Sequence, residues 1–397
     1  MPVTPTPAEQ YNHQWAFMIL QPLEIWMREA MDLARLGRGR VEPNPMVGCV
    51  IVKAGRVIGR GYHAAFGEAH AEPSALAACE ESPAGATAIV TLEPCCHTNK
   101  KTPPCVPTLI AAGIGHVIVG TLDPNPAVSG IGIAQLRAAG VQVTMGILER
   151  PCRQLIAPWV AVTQLRRPYI TLKWAESADG LVAGTHGRPV GISNPAATAA
   201  VHRLRSMCDG ILVGVNTVLT DDPMLTARDI AILPGTRRCL LTRIILDRVL
   251  RTPLTCRLVQ SVGKWPVLIF CSAAASAGRE AEALRERQVM IQPAPLDATG
   301  QLDLNQVMTS LVDRPMTHVL VECGPTLARA FMAANLADRA WVIRSPRVIG
   351  EPDAPHATAM PWPCTAKRDL EGDHFTEHLN PSSPAFFSAE ASSDVPC

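Results

Sequence analysis

The chain has almost no excess of charge. Its 36 Lys and Arg stand against 35 Asp and Glu, a formal net charge of +1. Nucleic-acid binders normally show a basic excess or stripe, so no nucleic-acid partner is expected. Long apolar runs are missing too, and nothing reaches the 18 or so residues that a membrane-spanning helix needs. Residues 1–22 lack a basic n-region and a long apolar h-region, and Pro2, Pro5, Pro7, Glu9 and Gln10 interrupt them, so they do not read as a signal peptide. The 13 cysteines lack the dense, even spacing of a secreted disulfide scaffold and include no Cys-x-x-Cys pair. Free thiols in a reducing compartment are the simpler account. These absences lead to the expectation of a soluble cytoplasmic protein without a membrane partner.

What the chain does have is length and apolar content. At 397 residues, 47% apolar and 18% charged, it suits two globular domains, because one core rarely grows past about 250–300 residues. Residues 1–22 read as a disordered leader. Ile25, Met27, Ala30, Leu33 and Ala34 fall at helical spacing and predict an amphipathic helix over 24–36, ended by Gly37 and Gly39. Strands are predicted at 47–52 and 57–61, around an Ala54-Gly55 turn. Helix 71–80, strand 87–92, helix 105–113, strand 116–121, helix 130–139 and strand 141–146 follow. This alternation argues for helices layered over a sheet, and bounds a first domain at 23–148. Residues 149–167 read as a connector with a short helix over 154–162. A second α/β pattern fills 168–379. Its strands are predicted at 169–173, 210–213, 244–247, 267–271, 319–322 and 341–343, with helices over 195–207 and 325–335. The last of these starts with proline, which costs a first helical turn no hydrogen bond. Residues 380–397, rich in Ser, Pro, Ala and Glu, read as a disordered tail.

The chemistry concentrates in His70-Ala71-Glu72, Pro94-Cys95 and Cys105. One imidazole and two thiolates suit zinc, and three protein ligands leave the fourth tetrahedral position open for water, as a catalytic zinc requires. Such a metal brings the pKa of its water from about 16 toward roughly 7. Glu72 is not needed as a ligand and can carry the proton from that water to a leaving amine. The same His-x-Glu and Pro-Cys arrangement marks zinc deaminases of nucleobases. The competing reading is a closed structural zinc, with Cys96 or His97 as fourth ligand. In the second half no Gly-x-Gly-x-x-Gly follows the first strand, so a Rossmann cofactor site is not supported. The helix start at Gly324-Pro325-Thr326 is the alternative anion site, because glycine lets backbone approach and free N–H groups favour a phosphate.

Longer runs carry a resemblance. Asn44-Pro45-Met46-Val47-Gly48-Cys49-Val50, His70-Ala71-Glu72, Thr91-Leu92-Glu93-Pro94-Cys95 and Thr102-Pro103-Pro104-Cys105 resemble the deaminase half of the bifunctional riboflavin biosynthesis deaminase/reductase family. Leu172-Lys173, Ser177-Ala178-Asp179-Gly180, Leu212-Val213-Gly214, the run from Thr217 to Thr226, and Glu322-Cys323-Gly324-Pro325-Thr326-Leu327 resemble its reductase half. The match covers roughly 23–380 in the family's own order. It implies an α/β chain of two domains. The first is a cytidine-deaminase-like three-layer α/β/α domain, and the second is a dihydrofolate-reductase-like α/β domain. It also implies two reactions: hydrolytic removal of the 2-amino group of 2,5-diamino-6-ribosylamino-4(3H)-pyrimidinone 5′-phosphate, then NADPH-dependent reduction of the ribosyl group to a ribityl chain. The substrate is therefore a phosphorylated small molecule, the cofactors are one zinc per deaminase domain and NADPH, and a homo-oligomer is expected. The runner-up is a zinc deaminase of another nucleobase or nucleoside, with a reductase half that is weakened or only binds nucleotide.

By the resemblance, His70, Cys95 and Cys105 hold zinc and Glu72 is the general acid/base. Asn44, His63, Lys101 and Thr102 match substrate contacts of the deaminase. Their plainer readings are a turn former, a solvent histidine and a solvated loop. Arg205, Leu225, Arg228 and Glu322 match substrate contacts of the reductase, with a helix surface charge and a core side chain as the plainer readings of Arg205 and Leu225. The two arginines suit a sugar phosphate, since a guanidinium can hold it through two parallel hydrogen bonds. Ala175, Thr217, Asp221 and the run Gly324, Pro325, Thr326, Leu327, Ala328, Arg329 and Ala330 match cofactor contacts.

The chain departs from the family in two places. Nine residues lie between Cys95 and Cys105 where the family usually has eight, so either the loop is longer by one or Cys96 takes the ligand role. Before the helix at Pro195 the family usually shows Ser-x-Trp, then a β-branched residue and a hydroxyl, whereas this chain reads Pro189-Val190-Gly191-Ile192-Ser193. A hydroxyl near the substrate and an aromatic near the cofactor are thus absent, which predicts weaker NADPH binding.

Overall fold

The computed structural model describes residues 23–98, 102–228, 241–314 and 316–386. The expected leader and Lys101 lie outside them. The chain divides into two compact units, one ending at Gln164 and the other starting at Leu165. The division falls inside the stretch expected as a connector.

In the first unit, helix α1 (23–35) precedes the hairpin β1 (Gly48–Lys53) and β2 (Arg56–Tyr62). There follow α2 (Ala71–Ala77), β3 (Thr87–Leu92), α3 (Cys105–Ala111), β4 (His116–Thr121), α4 (Ile131–Ala138) and β5 (Gln142–Met145). The sheet order is β2-β1-β3-β4-β5. β1 is antiparallel to both neighbours, while β3, β4 and β5 run parallel. Side chains alternate across a strand, and here both faces are covered. Cys49, Ile51, Ala88, Val90, Val117 and Val119 meet α2, α3 and α4 on one side. Val50, Val52, Ile89 and Ile118 meet α1 and α5 (Glu149–Leu155) on the other. The expected three layers follow from that alternation. Two glycines set the closeness of the layers. A Cβ on Gly48 would lie 1.9 Å from the Ala30 carbonyl oxygen, and one on Gly61 would lie 2.2 Å from the Ala75 nitrogen. The would-be connector is largely helical, with α5, then α6 (Ala157–Val160), then a π-helical turn over Ala161–Leu165.

The second unit is built on a nine-stranded sheet, order β10-β9-β8-β7-β11-β6-β12-β14-β13. Its strands are β6 (Tyr169–Glu176), β7 (Gly210–Gly214), β8 (Thr242–Leu246), β9 (Val267–Cys271), β10 (Met290–Pro293), β11 (His318–Glu322), β12 (Arg339–Arg344), β13 (Cys364–Leu370) and β14 (Asp373–Leu379). All are parallel from β10 to β12; only β14 and β13 run antiparallel. The helices are α7 (Pro195–Arg205), α8 (Val215–Asp221), α9 (Arg257–Gln260), α10 (Ala273–Ser276), α11 (Arg279–Glu286), α12 (Leu304–Val312) and α13 (Pro325–Ala333). On one face α12 and α13 bury Val307, Leu311 and Phe331 against Leu172, Leu212 and Val321. On the other, α8 and α11 bury Val218 and Leu284 against Ile211, Val213 and Ile245. Parallel strands bring their carboxyl ends to one edge, where open α/β sheets bind ligands.

One expectation is corrected here. The tail predicted to be disordered from Asn380 is packed as far as the structure describes it, to residue 386. Asn380 Nδ2 donates to the Ala337 carbonyl (2.8 Å) and to Asn335 Oδ1 (2.9 Å), and Ser383 Oγ donates to Asp338 Oδ1 (2.7 Å). The Phe386 ring meets Tyr169 edge-on at 5.9 Å. Polar composition suggested disorder, but these side chains are spent on internal partners. Among the described residues, no helix is long and apolar enough to cross a membrane.

Candidate active sites

His70 is the N-cap of α2 and uses no side-chain atom to cap it, so its ring is free to face inward. Cys105 opens α3, and its N–H donates to the Cys95 carbonyl at 3.0 Å, which draws the two cysteines together. His70 Nδ1 lies 3.5 Å from Cys95 Sγ and 3.4 Å from Cys105 Sγ, with 3.3 Å between the sulfurs. Three donors this close fit three corners of one small tetrahedron, and the imidazole–dithiolate set is a zinc set. Cys96 is turned away, its Sγ 4.0 Å from the Ala127 carbonyl. Cys96 and His97 are not part of the only such donor cluster found among the described residues. The geometry therefore favours Cys95 as ligand and an open fourth position.

Glu72, in the first turn of α2, is 3% exposed. Burial, and then the charge of Cys95 beside it, push its carboxyl above the usual range. Both groups line a cavity of about 290 Å³ together with Asn44, His63, Thr102 and Trp159. His63 Nδ1 lies 3.0 Å from the Ala69 carbonyl, so it carries the hydrogen; Nε2 then accepts from Asn44 Nδ2 at 3.2 Å. Asn44 Oδ1 is left for a ligand. Glu93 gathers the N–H groups of Gly130, Asp123 and Ile133 (2.9–3.4 Å), which fixes the loops that close the cavity. Asp123 and Trp159 are wall residues that sequence reasoning missed. Trp159 Nε1 donates to Asp123 Oδ1 at 3.0 Å. The carboxylate just beyond the end of β4 was a usable signal, whereas nothing local marks Trp159.

The second site is a cleft of about 1350 Å³ at the carboxyl ends of the parallel strands. Ala175, Arg205, Thr217, Asp221 and Glu322 line it, as do Gly324, Pro325, Thr326, Leu327 and Ala330. Gly324 is the N-cap of α13 without a side-chain cap, and no atom lies within 4 Å of where its Cβ would be. The first N–H groups of α13 are thus available to an anion. Four expected contacts fall elsewhere. Leu225 is 3% exposed in the apolar core and Ala328 is 1% exposed in the other core cluster, while Arg329 sits on the exposed side of α13. Helical periodicity explains the last two, since only part of the run 324–330 can face one cleft. Arg228 does not line the cleft with the others; its N–H lies 3.3 Å from His202 Nδ1.

The role argued for Arg205 also changes. Its Nε and Nη2 donate to the two oxygens of Glu322 at 2.6 and 2.7 Å, and Nη1 donates to the Thr226 carbonyl at 3.0 Å. The fork that suited a phosphate is taken by Glu322. That pairing holds the Glu322 carboxyl below the usual range despite its burial. Lys173, unmarked as a site residue earlier, lies directly opposite Glu322 in the β6–β11 register. Burial and then the Arg205 charge lower its ammonium pKa, while Glu322 opposes the shift. A lysine inside an otherwise apolar strand was the signal. Pro189, Gly191 and Ser193 all line the cleft. Nothing lies within 4 Å of a Cβ on Gly191, whose carbonyl accepts from Arg347 Nη1 at 2.6 Å.

Comparison with known proteins gives each unit a family domain. Residues 20–121 match the cytidine and deoxycytidylate deaminase zinc-binding region, and residues 168–361 match the RibD C-terminal domain. The riboflavin biosynthesis protein RibD of Aquifex aeolicus is 38% identical over 334 residues, covering 84% of this chain and 90% of the relative. That of Escherichia coli K12 is 38% identical over 335 residues, covering 82% and 88%. Among solved structures, Acinetobacter baumannii RibD superposes with a TM-score of 0.79 at 31% identity, covering 91% of this chain and 99% of that one. A diaminohydroxyphosphoribosylaminopyrimidine deaminase/5-amino-6-(5-phosphoribosylamino)uracil reductase from Thermotoga maritima gives 0.76 at 32% identity, with the same coverage. Two family domains in order, and relatives matched over most of their length, show that this chain belongs to the RibD family of riboflavin biosynthesis proteins.

Proposed function

We propose that the chain is the bifunctional deaminase/reductase of riboflavin biosynthesis. It hydrolyses the 2-amino group of the diaminopyrimidinone ribosyl phosphate, then reduces the ribosyl group with NADPH. The observation that carries the reading is the convergence of His70, Cys95 and Cys105 beside a buried Glu72 that is not one of the donors. His70, Cys95 and Cys105 would hold zinc, which makes a water acidic enough to react at neutral pH. Glu72 takes that water's proton and passes it to the amine as it leaves. Its raised pKa suits a group that must carry the proton between the two. Asn44, oriented by His63, accepts a ring N–H, and Thr102 bounds the same wall. Lys101, outside the described residues, is assigned by resemblance alone to the same substrate.

In the cleft, the free N–H groups of Thr326 and Leu327 would take a phosphate of NADPH, with Ala175, Thr217 and Asp221 along its length. The cofactor supplies hydride, and the protein positions it. Lys173, facing Glu322, is placed to give a proton to the ribose ring oxygen as its bond to the sugar carbon breaks and hydride reaches that carbon. The Arg205–Glu322 pair holds Glu322 ionised against the ribosyl chain.

Mass spectrometry of products tests both halves. Without NADPH the substrate gains about one dalton, as hydroxyl replaces amine; with NADPH it gains about two more. The first shift without the second would leave a deaminase of this substrate with a disabled reductase. No shift from zinc-loaded protein would overturn the assignment.

A further inference from the structure

We propose that His202 is a substrate-contacting residue of the reductase cleft, with Nε2 accepting a hydrogen bond from a hydroxyl of the substrate's ribosyl chain. The proposal rests on the reductase reading above.

Thr198, His202 and Arg205 stand at i, i+4 and i+7 on α7, share one face of the helix, and all line the cleft. His202 is 8% exposed. Its Nδ1 lies 3.0 Å from the Thr226 carbonyl and 3.3 Å from the Arg228 N–H. We take the tautomer in which Nδ1 donates to the nearer partner, the Thr226 carbonyl, rather than accepting from the Arg228 N–H, so that Nε2 carries the lone pair. Nε2 has no protein hydrogen bond among the described residues, and Nδ1 turned to the 226–228 segment leaves it on the cleft side. Nε2 itself is open to the cleft rather than sealed in the core, so a bound substrate can reach it. The charges that act on it are Arg205 from its own helix, Arg228 from the segment after α8, and Glu322 from β11. Burial and the two arginines lower its pKa, which keeps the ring neutral. A neutral acceptor wants a hydroxyl hydrogen, which a phosphate dianion does not offer. The sugar being reduced and the ribose of the cofactor both offer one, and the test separates them.

The full chain, loaded with zinc, is given the deaminated substrate and NADPH. His202→Phe should raise the KM for that substrate about tenfold, the loss of one good hydrogen bond. Deamination and the NADPH dissociation constant, read by fluorescence titration, should stay unchanged. His202→Gln, which returns an acceptor at that reach, should recover most of the loss. In the wild-type protein, one analogue lacking a single ribosyl hydroxyl should show the same rise, which requires no variant to fold. The wild-type KM should also rise as pH falls through the lowered His202 pKa, below the ordinary value of about 6.5, and the Gln variant should lack that limb. An unchanged KM in the Phe variant, or a loss of NADPH affinity in its place, overturns the proposal. Wild-type protein that deaminates but reduces nothing removes the reductase reading, and the proposal with it.

Discussion

At the scale of single residues, the zinc centre separates two adjacent cysteines. Cys95 converges with His70 and Cys105, while Cys96 faces a backbone carbonyl. Cys96→Ser should therefore keep one zinc per chain by elemental analysis, and Cys95→Ser should lose it. Glu72→Gln should keep the metal and lower the rate of deamination by about 10²–10⁴, the range for a positioned acid/base. With deaminated substrate supplied, its NADPH consumption should match wild type. The donors and Glu72 were legible because metal ligation demands particular residue types at short spacings. Arg205 was legible as a site residue but not in its role, because its partner Glu322 is 117 residues away. Trp159 was invisible, since its bond to Asp123 depends on how a helix outside the motifs packs.

At the scale of elements, strands with β-branched runs, such as β3, β4 and β9, could be read within a residue or so. β13 could not, because an exposed edge strand reading Cys-Thr-Ala-Lys-Arg-Asp-Leu has no buried face to impose alternation. Edge strands often carry charge in this way to discourage pairing with other chains. Helix α11 escaped for a related reason: only Ala281 and Leu284 are buried in it. Helix α12 was not read either, although Asp303 caps it, its carboxylate accepting from the N–H groups of Asn305 and Gln306. The misread tail yields a test. Ending the chain after Leu379 removes Asn380, Ser383 and Phe386, and leaves Asp338, which also holds Arg167 and the Ile170 N–H, short of a partner. The loss should be about 3 kcal/mol, a drop of roughly 6–12 °C in the melting temperature of the second unit. Zinc content should not change.

At the scale of the whole molecule, the two chemistries lie in separate compact units, each with its own sheet and core. Chelation should therefore abolish deamination and leave NADPH-dependent reduction of supplied intermediate intact. Calorimetry should show NADPH shifting only the transition of the second unit, by mass action on its folded state. Either step failing with the other would mean the units do not work independently.

The strand order of the second sheet also bears on how the chain comes off the ribosome. The first unit is covalently complete at Gln164 and can close around its metal centre while the rest is still being made. β6 is the first strand of its sheet to emerge, yet it sits between β11 and β12. At roughly 5–20 residues per second, the stretch of about 140 residues between β6 and β11 occupies on the order of 10 s of synthesis. Through that interval an apolar strand, Tyr-Ile-Thr-Leu-Lys-Trp-Ala-Glu, has neither of its native neighbours. Nascent chains stalled in this window are where chaperone capture and aggregation should concentrate.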